Sequence, residues 1–315
     1  MKREAIQANL DRIFYGIEKN ELPDTIGFIK GKVRDIIDFE NSYLLVTSDR
    51  ISAFDRVLTT IPFKGQVLHQ MSMYWFDKTK DIISNHVDKE LNDRTVQVRK
   101  CEVLPVEVVV RGYLTGSAWR DYQSKGEVSG IKLADGMNMN QRFPEPLLTP
   151  STKAERGDHD IPISSEQIVK DGLVEEKVWK KVEETAYKLF ARGTEIADER
   201  GLILVDTKYE FGLLDGDVVL VDELHTPDSS RYWFSDTYEE LFERGEKQRK
   251  IDKEYLRQWL MEKGFMGDGD APEIPPRVRV EVAERYIKAF ELITGKDFIP
   301  SSMSPEEEKK QILHY

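Results

Sequence analysis

Three charged residues alternate with uncharged ones at the end of an apolar segment. Residues 202–205 are Leu, Ile, Leu and Val, and the next charged positions are Asp206, Lys208 and Glu210. Because side chains alternate between the two faces of a β-strand, the three charges would project from one face. Charges beside a buried run are costly unless they are paired, hydrated or bound to a charged ligand. Spacing alone gives similar weight to a solvated strand face and to a site for a charged ligand.

A predicted hairpin brings another carboxylate to this face. An Asp-Gly pair at 215–216 separates two apolar runs, which is a strong hairpin signal, and the second run ends at Asp222. Antiparallel pairing would place Asp222 near the face that carries Asp206 and Glu210. Mg²⁺ takes one or two carboxylates together with phosphate oxygens, and a lysine can fix a phosphate or carboxylate. We therefore favour a metal–phosphate site over a charged hairpin end.

Three further segments have residue types that bind anions. Glu107 and Arg111 would share a strand face, and the Thr-Gly-Ser at 115–117 would begin a helix whose N-terminal N–H groups suit an anion. A glycine turn at 31–35 contains two cations but lacks the Walker A and Gly-x-Gly-x-x-Gly patterns. The third segment, a turn at 226–233, contains Arg231 between polar and aromatic residues. Taken alone, each is better explained by ordinary structure: an N-cap with a strand ion pair, an exposed turn and a Pro-Asp turn.

Composition restricts the classes of function. The chain has 315 residues and a formal net charge of −12 at pH 7, which argues against general binding to nucleic acid or to acidic membranes. No apolar run approaches the ~20 residues of a membrane span, and the N-terminus lacks a signal-peptide pattern. The histidines lack zinc-ligand spacings, and the single cysteine, Cys101, forbids an intrachain disulfide. We expect a cytoplasmic protein without a membrane anchor.

The elements that must position these residues indicate an α+β fold rather than alternating βαβ units. Apolar residues at helical spacing predict a helix over residues 5–20, and further helices are predicted over 66–83, 178–201, 236–246, 253–263 and 276–294. Strands are predicted mainly before residue 111 and in the hairpin at 202–222. Residues 126–162 are rich in Gly, Pro, Asn and Asp, so they are either disordered or a functional loop.

These motifs, taken together and in order, resemble one family: phosphoribosylaminoimidazole-succinocarboxamide synthase, or SAICAR synthetase. The segments at 104–117 and 204–212 resemble its two signatures. Matching segments also occur in order at 31–35, 47–55, 149–155 and 222–233. The resemblance runs from about residue 25 to 295. The chain is more similar to the longer, fungal-like members than to the short bacterial ones, some of which have lysine where this chain has Arg34.

The resemblance implies an ATP-dependent ligase of de novo purine biosynthesis. It would join 5-amino-1-(5-phosphoribosyl)imidazole-4-carboxylate, called the imidazole nucleotide below, to L-aspartate, and it would release ADP and phosphate. A carboxylate is a poor acyl donor, so ATP would convert it to an acyl phosphate. That step brings anions together and demands Mg²⁺ and cations.

The resemblance also implies an architecture. A β-rich nucleotide-binding lobe at residues 1–115 would pack on a larger α+β lobe at residues 116–315 with C-terminal helices. The arrangement would be related to the ATP-grasp group, with the active site in the cleft between the lobes. Analogy with the fungal-like forms favours a monomer.

The same resemblance assigns roles to individual residues. Glu210 and Asp222 would hold magnesium. ATP would be bound by Lys32, Val33, Arg34, Lys153, Glu210 and Asp222. The imidazole nucleotide and L-aspartate would be contacted by Arg111, Ser117, Arg231, Lys208, Ser52, Asp55 and Asp160, of which Ser52 and Asp55 would lie near the aspartate site. The catalytic residues would be Asp206, Lys208 and Arg231.

Two other functions compete with this one. Another ATP-dependent carboxylate–amine ligase would differ only in its donor and acceptor pockets. A non-catalytic nucleotide-binding module would bind ATP without releasing ADP. The charged set formed by Asp206, Lys208, Glu210 and Asp222 argues against the second alternative, because a binding module does not need so costly a cluster.

Overall fold

The computed structural model describes residues 1–54, 56–153, 161–251 and 254–315. The strands β1 to β15 are, in order, Gly27–Lys30, Arg34–Asp38, Ser42–Thr47, Arg50–Ala53, Arg56–Thr60, Val87–Asn92, Thr95–Arg99, Glu102–Tyr113, Glu127–Val128, Ile131–Lys132, Arg142–Leu148, Ser151–Thr152, Leu202–Leu214, Asp217–Val221 and Ser230–Phe234. The helices α1 to α9 are Arg3–Gln7, Lys64–Thr79, Gly116–Lys125, Ser165–Lys170, Glu176–Asp198, Tyr238–Glu243, Glu254–Glu262, Pro276–Thr294 and Pro305–Leu313.

The chain divides into two compact units. The first contains Met1–Tyr74, His86–Lys100 and Ile251–Tyr315, and the second contains Trp75–Asn85 and Cys101–Lys250. The C-terminal helices α7, α8 and α9 therefore belong to the same unit as the first strands. The predicted lobes at residues 1–115 and 116–315, and the cleft between them, stay a prediction.

The first unit is built on an antiparallel sheet with the strand order β1-β2-β3-β7-β6. Strands β4 and β5 pair separately as a hairpin. Alternation places Leu44 and Val46 of β3 on one face, where they pack with Ile37 of β2 and Ile312 of α9. This apolar layer is a hydrophobic core of the first unit.

The predicted helix over residues 5–20 is wrong beyond Gln7, because α1 ends there. Phe14 and Ile17 are buried, but their backbone N–H groups donate to the carboxylates of Asp49 and Asp35 at 2.9 Å. These bonds to buried, distant carboxylates replace the hydrogen bonds that a helix would make. Tertiary contacts therefore override the helical spacing of the apolar residues.

The second unit is built on an antiparallel sheet with the strand order β11-β8-β13-β14. Strand β12 pairs with β8, and β15 pairs with β13. Helix α5 packs on β13 through a buried stripe that includes Val182, Leu189 and Gly193. The long central strand β13 thus has one face covered by a helix, and its other face carries the alternating charges.

The predicted hairpin at 202–222 and the irregular stretch at 126–162 both lie in the second unit. The hairpin is confirmed, because β13 pairs with β14 in a register that places Leu214 opposite Asp217. The stretch at 126–162 contains short strands, and two of them, β11 and β12, pair with β8. Residues 154–160 lie outside the described part of the chain.

No helix in the described residues is both long enough and apolar enough to cross a lipid bilayer.

Candidate active site

Strand register places the alternating charges of β13 opposite charged partners. Asp206 lies opposite Arg111 of β8 and opposite Arg231 of β15. Four residues further along, Glu210 lies opposite Glu107 of β8. Lys208 lies between them, opposite Val109. Because cross-strand neighbours on one face are within side-chain reach, the register creates two adjacent charged clusters.

The first cluster, called the arginine cluster, consists of Arg111, Arg231 and Asp206 with the hydroxyls of Ser117 and Thr149. Arg111 donates from Nη1 to Asp206 Oδ2 at 2.9 Å and from Nε to Thr149 Oγ1 at 2.9 Å. It also donates from Nη2 to Ser117 Oγ at 3.3 Å. Arg231 donates to the same Asp206 oxygen. The carboxylate therefore orients both guanidinium groups.

A glycine makes room for one of these guanidinium groups. Gly116, at the start of α3, has a φ of +62°, and a Cβ atom there would lie 2.7 Å from Arg231 Nη2. That distance is below van der Waals contact, so a larger residue would displace the guanidinium. Gly116 is thus needed for its backbone conformation and for the close approach of Arg231.

The arginine cluster is positively charged overall, since two guanidinium groups share one carboxylate. Burial lowers the pKa of Arg111, the Asp206 carboxylate opposes that change, and Arg231 adds to it. Arginine nevertheless keeps its charge in proteins. The cluster is therefore suited to an anion, and the first N–H groups of α3 lie next to Ser117.

The second cluster, called the lysine cluster, consists of Lys208, Lys153, Glu107, Glu210 and Asp222. Lys208 Nζ donates to Glu107 Oε1 at 2.6 Å and to Glu210 Oε1 at 2.8 Å. Lys153 donates to the other oxygen of Glu210. Three carboxylates and two ammonium groups leave the lysine cluster with one net negative charge.

Electrostatics keeps the central groups of the lysine cluster ionised. Burial alone would lower the pKa of Lys208, but Glu210, Glu107 and Asp222 raise it above its ordinary value. Burial would raise the pKa of Glu210, but Lys208 and Lys153 lower it to about 2. Near neutral pH Lys208 is therefore an ammonium ion and Glu210 is a carboxylate. Lys208 can stabilise negative charge but cannot accept a proton.

Asp222 reaches this cluster because the backbone turns at the end of β14. Val221 is the last residue of β14 and lies opposite Glu210, and Asp222 follows with a φ of +65°. Aspartate and asparagine tolerate this left-handed conformation better than most residues. The prediction that the hairpin brings Asp222 toward Glu210 agrees with its electrostatic effect on Lys208.

The opposite face of β13 is closed by a buried pair. Tyr209 Oη and His225 Nε2 lie 2.6 Å apart, and both residues are fully buried. Burial lowers the pKa of His225 to about 3, so the imidazole is neutral near pH 7. A Cβ atom on Gly193 of α5 would lie 2.4 Å from His225 Cε1, so the helix can approach only through a glycine. This packing supports the strand segment that carries Lys208 and Glu210.

The remaining sequence-predicted residues lie in the first unit or outside the described part of the chain. Lys32, Val33 and Arg34 lie in the first unit, in the turn and at the start of β2. Ser52 lies there too, in β4. Asp55 and Asp160 lie outside the described residues.

The structure adds two residues to the predicted set. Glu107 and Thr149 hold Lys208 and Arg111 respectively. Glu107 could have been predicted from the sequence, because its spacing places it on the same strand face as Arg111. For Thr149 the signal was only its presence in a matching segment, because its contact depends on how β11 meets β8.

Comparison with known proteins decides the family. The family described as SAICAR synthetase matches residues 27–273 of the chain. The phosphoribosylaminoimidazole-succinocarboxamide synthase of Bacteroides thetaiotaomicron is 49% identical over 292 residues, which cover 90% of this chain and 93% of that protein. The chain belongs to the SAICAR synthetase family.

Solved SAICAR synthetase structures share the fold. The SAICAR synthase from Saccharomyces cerevisiae, complexed with SAICAR, has a TM-score of 0.79 and 35% identity over 90% of this chain and all of that one. A type-2 SAICAR synthetase in complex with ADP has a TM-score of 0.67 and 26% identity, covering 87% of this chain and all of that one. The predicted α+β fold and likeness to the fungal form are confirmed.

The chain is also similar to bacterial SAICAR synthetases of nearly the same length. The protein from Legionella pneumophila strain Paris is 45% identical over 293 residues, covering 93% of its own length. The predicted function, an ATP-dependent ligase of purine biosynthesis, is confirmed by membership of the family.

Proposed function

We propose that the two clusters on β13 bind the two anionic substrates of the ligase reaction side by side. The observation that carries this proposal is the alternation of Asp206, Lys208 and Glu210 on one strand face, with clusters of opposite net charge around its ends. The arginine cluster binds the imidazole nucleotide, and the lysine cluster binds the polyphosphate of ATP with its metal. Lys208 lies between the two.

The arginine cluster supports recognition of the imidazole nucleotide. Arg111 and Arg231 offer guanidinium forks, which match phosphate and carboxylate geometry. Ser117 adds a hydroxyl at the start of α3. In this proposal Asp206 acts by holding both guanidinium groups in place while the net positive charge attracts the substrate.

The lysine cluster fits magnesium bound jointly with ATP. No group of three or more His, Cys, Asp and Glu side chains in the described ranges could hold a metal ion by itself. Mg²⁺ usually takes one or two carboxylates and completes its shell with phosphate oxygens and water. Glu210 is ionised and Asp222 lies close enough to raise the pKa of Lys208, so these two carboxylates would hold it. When bound, the metal would neutralise phosphate charge.

The reaction has two steps. A carboxylate oxygen of the imidazole nucleotide attacks the γ-phosphorus of ATP, ADP leaves, and an acyl phosphate forms. The amine of L-aspartate then attacks the acyl carbon, the C–O bond to phosphate breaks, and the amine loses a proton. Lys208, fixed by Glu107 and Glu210, stabilises the charge that develops between the two anions.

Other residues have proposed roles in binding. Lys153 and the turn with Lys32, Val33 and Arg34 would contact ATP. Ser52, Asp55 and Asp160 would contact L-aspartate or assist the site. The support for these roles is the match of their segments to the family.

The proposal also covers the substrates, the oligomeric state and the cellular compartment. The substrates are ATP, the imidazole nucleotide and L-aspartate, and the enzyme works as a monomer in the cytoplasm. Cys101 is the single cysteine of the chain and is not in a disulfide, which agrees with a reducing compartment.

The test supplies the protein with Mg²⁺–ATP, the imidazole nucleotide and L-aspartate. We expect SAICAR, ADP and phosphate in equal amounts by chromatography and mass spectrometry, and none of them when the imidazole nucleotide is omitted. Product from L-glutamate or glycine, but not from L-aspartate, would indicate another carboxylate–amine ligase. ATP binding without ADP release in the complete mixture would contradict catalysis.

An isotope experiment tests the acyl phosphate. The carboxylate of the imidazole nucleotide is labelled with ¹⁸O. If it attacks ATP, each phosphate released will contain one ¹⁸O atom, and the amide will keep the other. Phosphate without label would rule out the acyl phosphate but not the ligase activity.

A further inference from the structure

The turn between β1 and β2 is held by its carbonyl groups. Arg50 donates from Nη2 to Gly31 O at 3.1 Å and from Nε to Lys32 O at 3.3 Å. The next carbonyl, Val33 O, accepts from Ser48 N at 2.9 Å and from Ser48 Oγ at 2.5 Å. Three consecutive carbonyls therefore point toward the segment that contains Ser48 and Arg50.

Every N–H group of the Arg50 guanidinium donates a hydrogen bond within the first unit. Arg50 is buried, and it pairs with the fully buried Asp35 through Nη2–Oδ1 at 2.6 Å and Nη1–Oδ2 at 3.1 Å. Its remaining bond goes to Tyr15 O. The five N–H groups of an arginine are thus matched by five acceptors among the described residues.

A glycine preserves this arrangement. Gly16 has a φ of +101°, and a Cβ atom there would lie 2.0 Å from Asp35 Oδ2 and 2.3 Å from Arg50 Nη1. Neither atom can move away without breaking the buried ion pair. Gly16, Asp35 and Arg50 therefore form one rigid support beneath the turn.

The direction of the carbonyls fixes the direction of the amides. In a planar trans peptide the C=O and N–H groups point to opposite sides. Because Gly31 O and Lys32 O point toward Arg50, the N–H groups of Lys32 and Val33 point to the other side of the turn. Successive N–H groups presented together form a concave site for an anion such as phosphate.

We infer that Arg50 is a positioning residue that holds the turn at residues 31–33 with its backbone amides directed at the ATP phosphates. This inference rests on the proposed role of the turn in ATP binding. Arg50 does not touch the nucleotide in this arrangement. It acts through the carbonyls of Gly31 and Lys32, so its replacement changes the affinity for ATP more than the affinity for the other substrates.

The test compares Arg50→Lys with Arg94→Lys. Lysine keeps the charge beside Asp35 but offers a compact ammonium instead of a fork. Arg94 is a matched control, because it is equally buried and bonds to Asp49, Glu308 and Thr47 O in the same unit. We expect Arg50→Lys to raise the KM for ATP, and the Kd for ADP, by about tenfold, with the other two KM values unchanged. Arg94→Lys should lower the Tm similarly and leave the KM for ATP unchanged.

A second variant covers the case in which Arg50→Lys does not fold. Ser48→Ala removes one of the two bonds to Val33 O and leaves the backbone bond. We expect it to raise the KM for ATP by roughly two- to threefold. An unchanged KM for ATP in folded Arg50→Lys, or an equal rise in Arg94→Lys, would overturn the inference. Failure of the wild-type protein to form SAICAR would instead overturn the proposed function.

Discussion

The arginine cluster and the lysine cluster lie on one strand face, but the net charge around their central carboxylates has opposite sign. Asp206 accepts from two guanidinium groups, and the positive charge is in excess. Glu210 accepts from two ammonium groups, but Glu107 and Asp222 leave the negative charge in excess. The neighbouring strands, not β13 itself, decide the sign of each cluster.

The choice of cation matters as much as the sign. Arginine presents a rigid planar fork, so Asp206 fixes the direction in which Arg111 and Arg231 point. Lysine is a compact charge on a flexible stem, so Lys153 can leave Glu210 without any movement of the backbone. We therefore propose that one end of the face is a fixed anion site and that a metal ion replaces an ammonium group at the other end.

The largest expected effect comes from removing charge at the lysine cluster. Asp222→Asn should lower kcat/KM for Mg²⁺–ATP by roughly 10²- to 10³-fold, because it removes a carboxylate proposed to hold the metal. Asparagine tolerates the positive φ of Asp222, so the Tm should change little.

The control for this variant lies on the same hairpin. Asp215→Asn makes the same chemical change at an exposed turn residue with a φ of +54°. It should leave kcat/KM unchanged. If Asp222→Asn lowered the free energy of unfolding in proportion to activity, Asp222 would be structural.

The next largest effect should come from the arginine cluster. Arg231→Ala should raise the KM for the imidazole nucleotide by roughly 10- to 100-fold, as expected for the loss of a charged hydrogen bond. The KM for ATP should stay the same, since Arg231 belongs to the other cluster. Steady-state kinetics with each substrate varied in turn will check this. A matched rise in both KM values would remove the distinction between the clusters.

A smaller effect should come from crowding Arg231 without removing it. Gly116→Ala places a Cβ atom 2.7 Å from its guanidinium and should raise the KM for the imidazole nucleotide by up to about tenfold. Gly126→Ala is the matched control at the other end of α3, with a φ of +71° and no atom within 4 Å of the new Cβ. Both variants should lose about 1 kcal/mol of stability from backbone strain. Equal KM values in the two variants would show that the position of Arg231 is unimportant.

Local patterns predicted the parts of the fold that local interactions decide. The alternation from Asp206 to Glu210 and the Asp-Gly turn at 215–216 were sufficient for the hairpin, because register follows from a short turn. The helix ending at Gly295 was likewise predictable from its periodicity and its glycine, which has a φ of +68°.

Long-range contacts decide what the sequence could not show. The chain around Phe14 and Ile17 is not helical because distant carboxylates bind its amides. Thr149 joins the site only through the pairing of β11 with β8. Glu107 had the right spacing from Arg111, but its partner Lys208 became evident only once the register of β8 and β13 was known.

The smallest expected effect comes from Glu107, and it tests specifically how the lysine cluster differs from the arginine cluster. Glu107→Gln keeps an acceptor for Lys208 but removes the net negative charge of the lysine cluster. The KM for Mg²⁺ should rise by about threefold, which corresponds to a charge interaction of about 0.7 kcal/mol in a partly hydrated site. The KM for the imidazole nucleotide should not change.

The pH dependence of this variant follows from two pKa shifts. Glu210, with its pKa lowered from 4.5 to about 2, is fully charged above pH 5, and its contribution is lost only as the pH falls through 2. Lys208, with its pKa raised above 10.5, contributes fully at every pH below that value. The ratio of the KM values for Mg²⁺ in variant and wild type should therefore be constant from pH 5 to 9. A ratio that changed within this window would mean that a group of the lysine cluster titrates there, and the cluster would then differ from the arginine cluster in protonation as well as in charge.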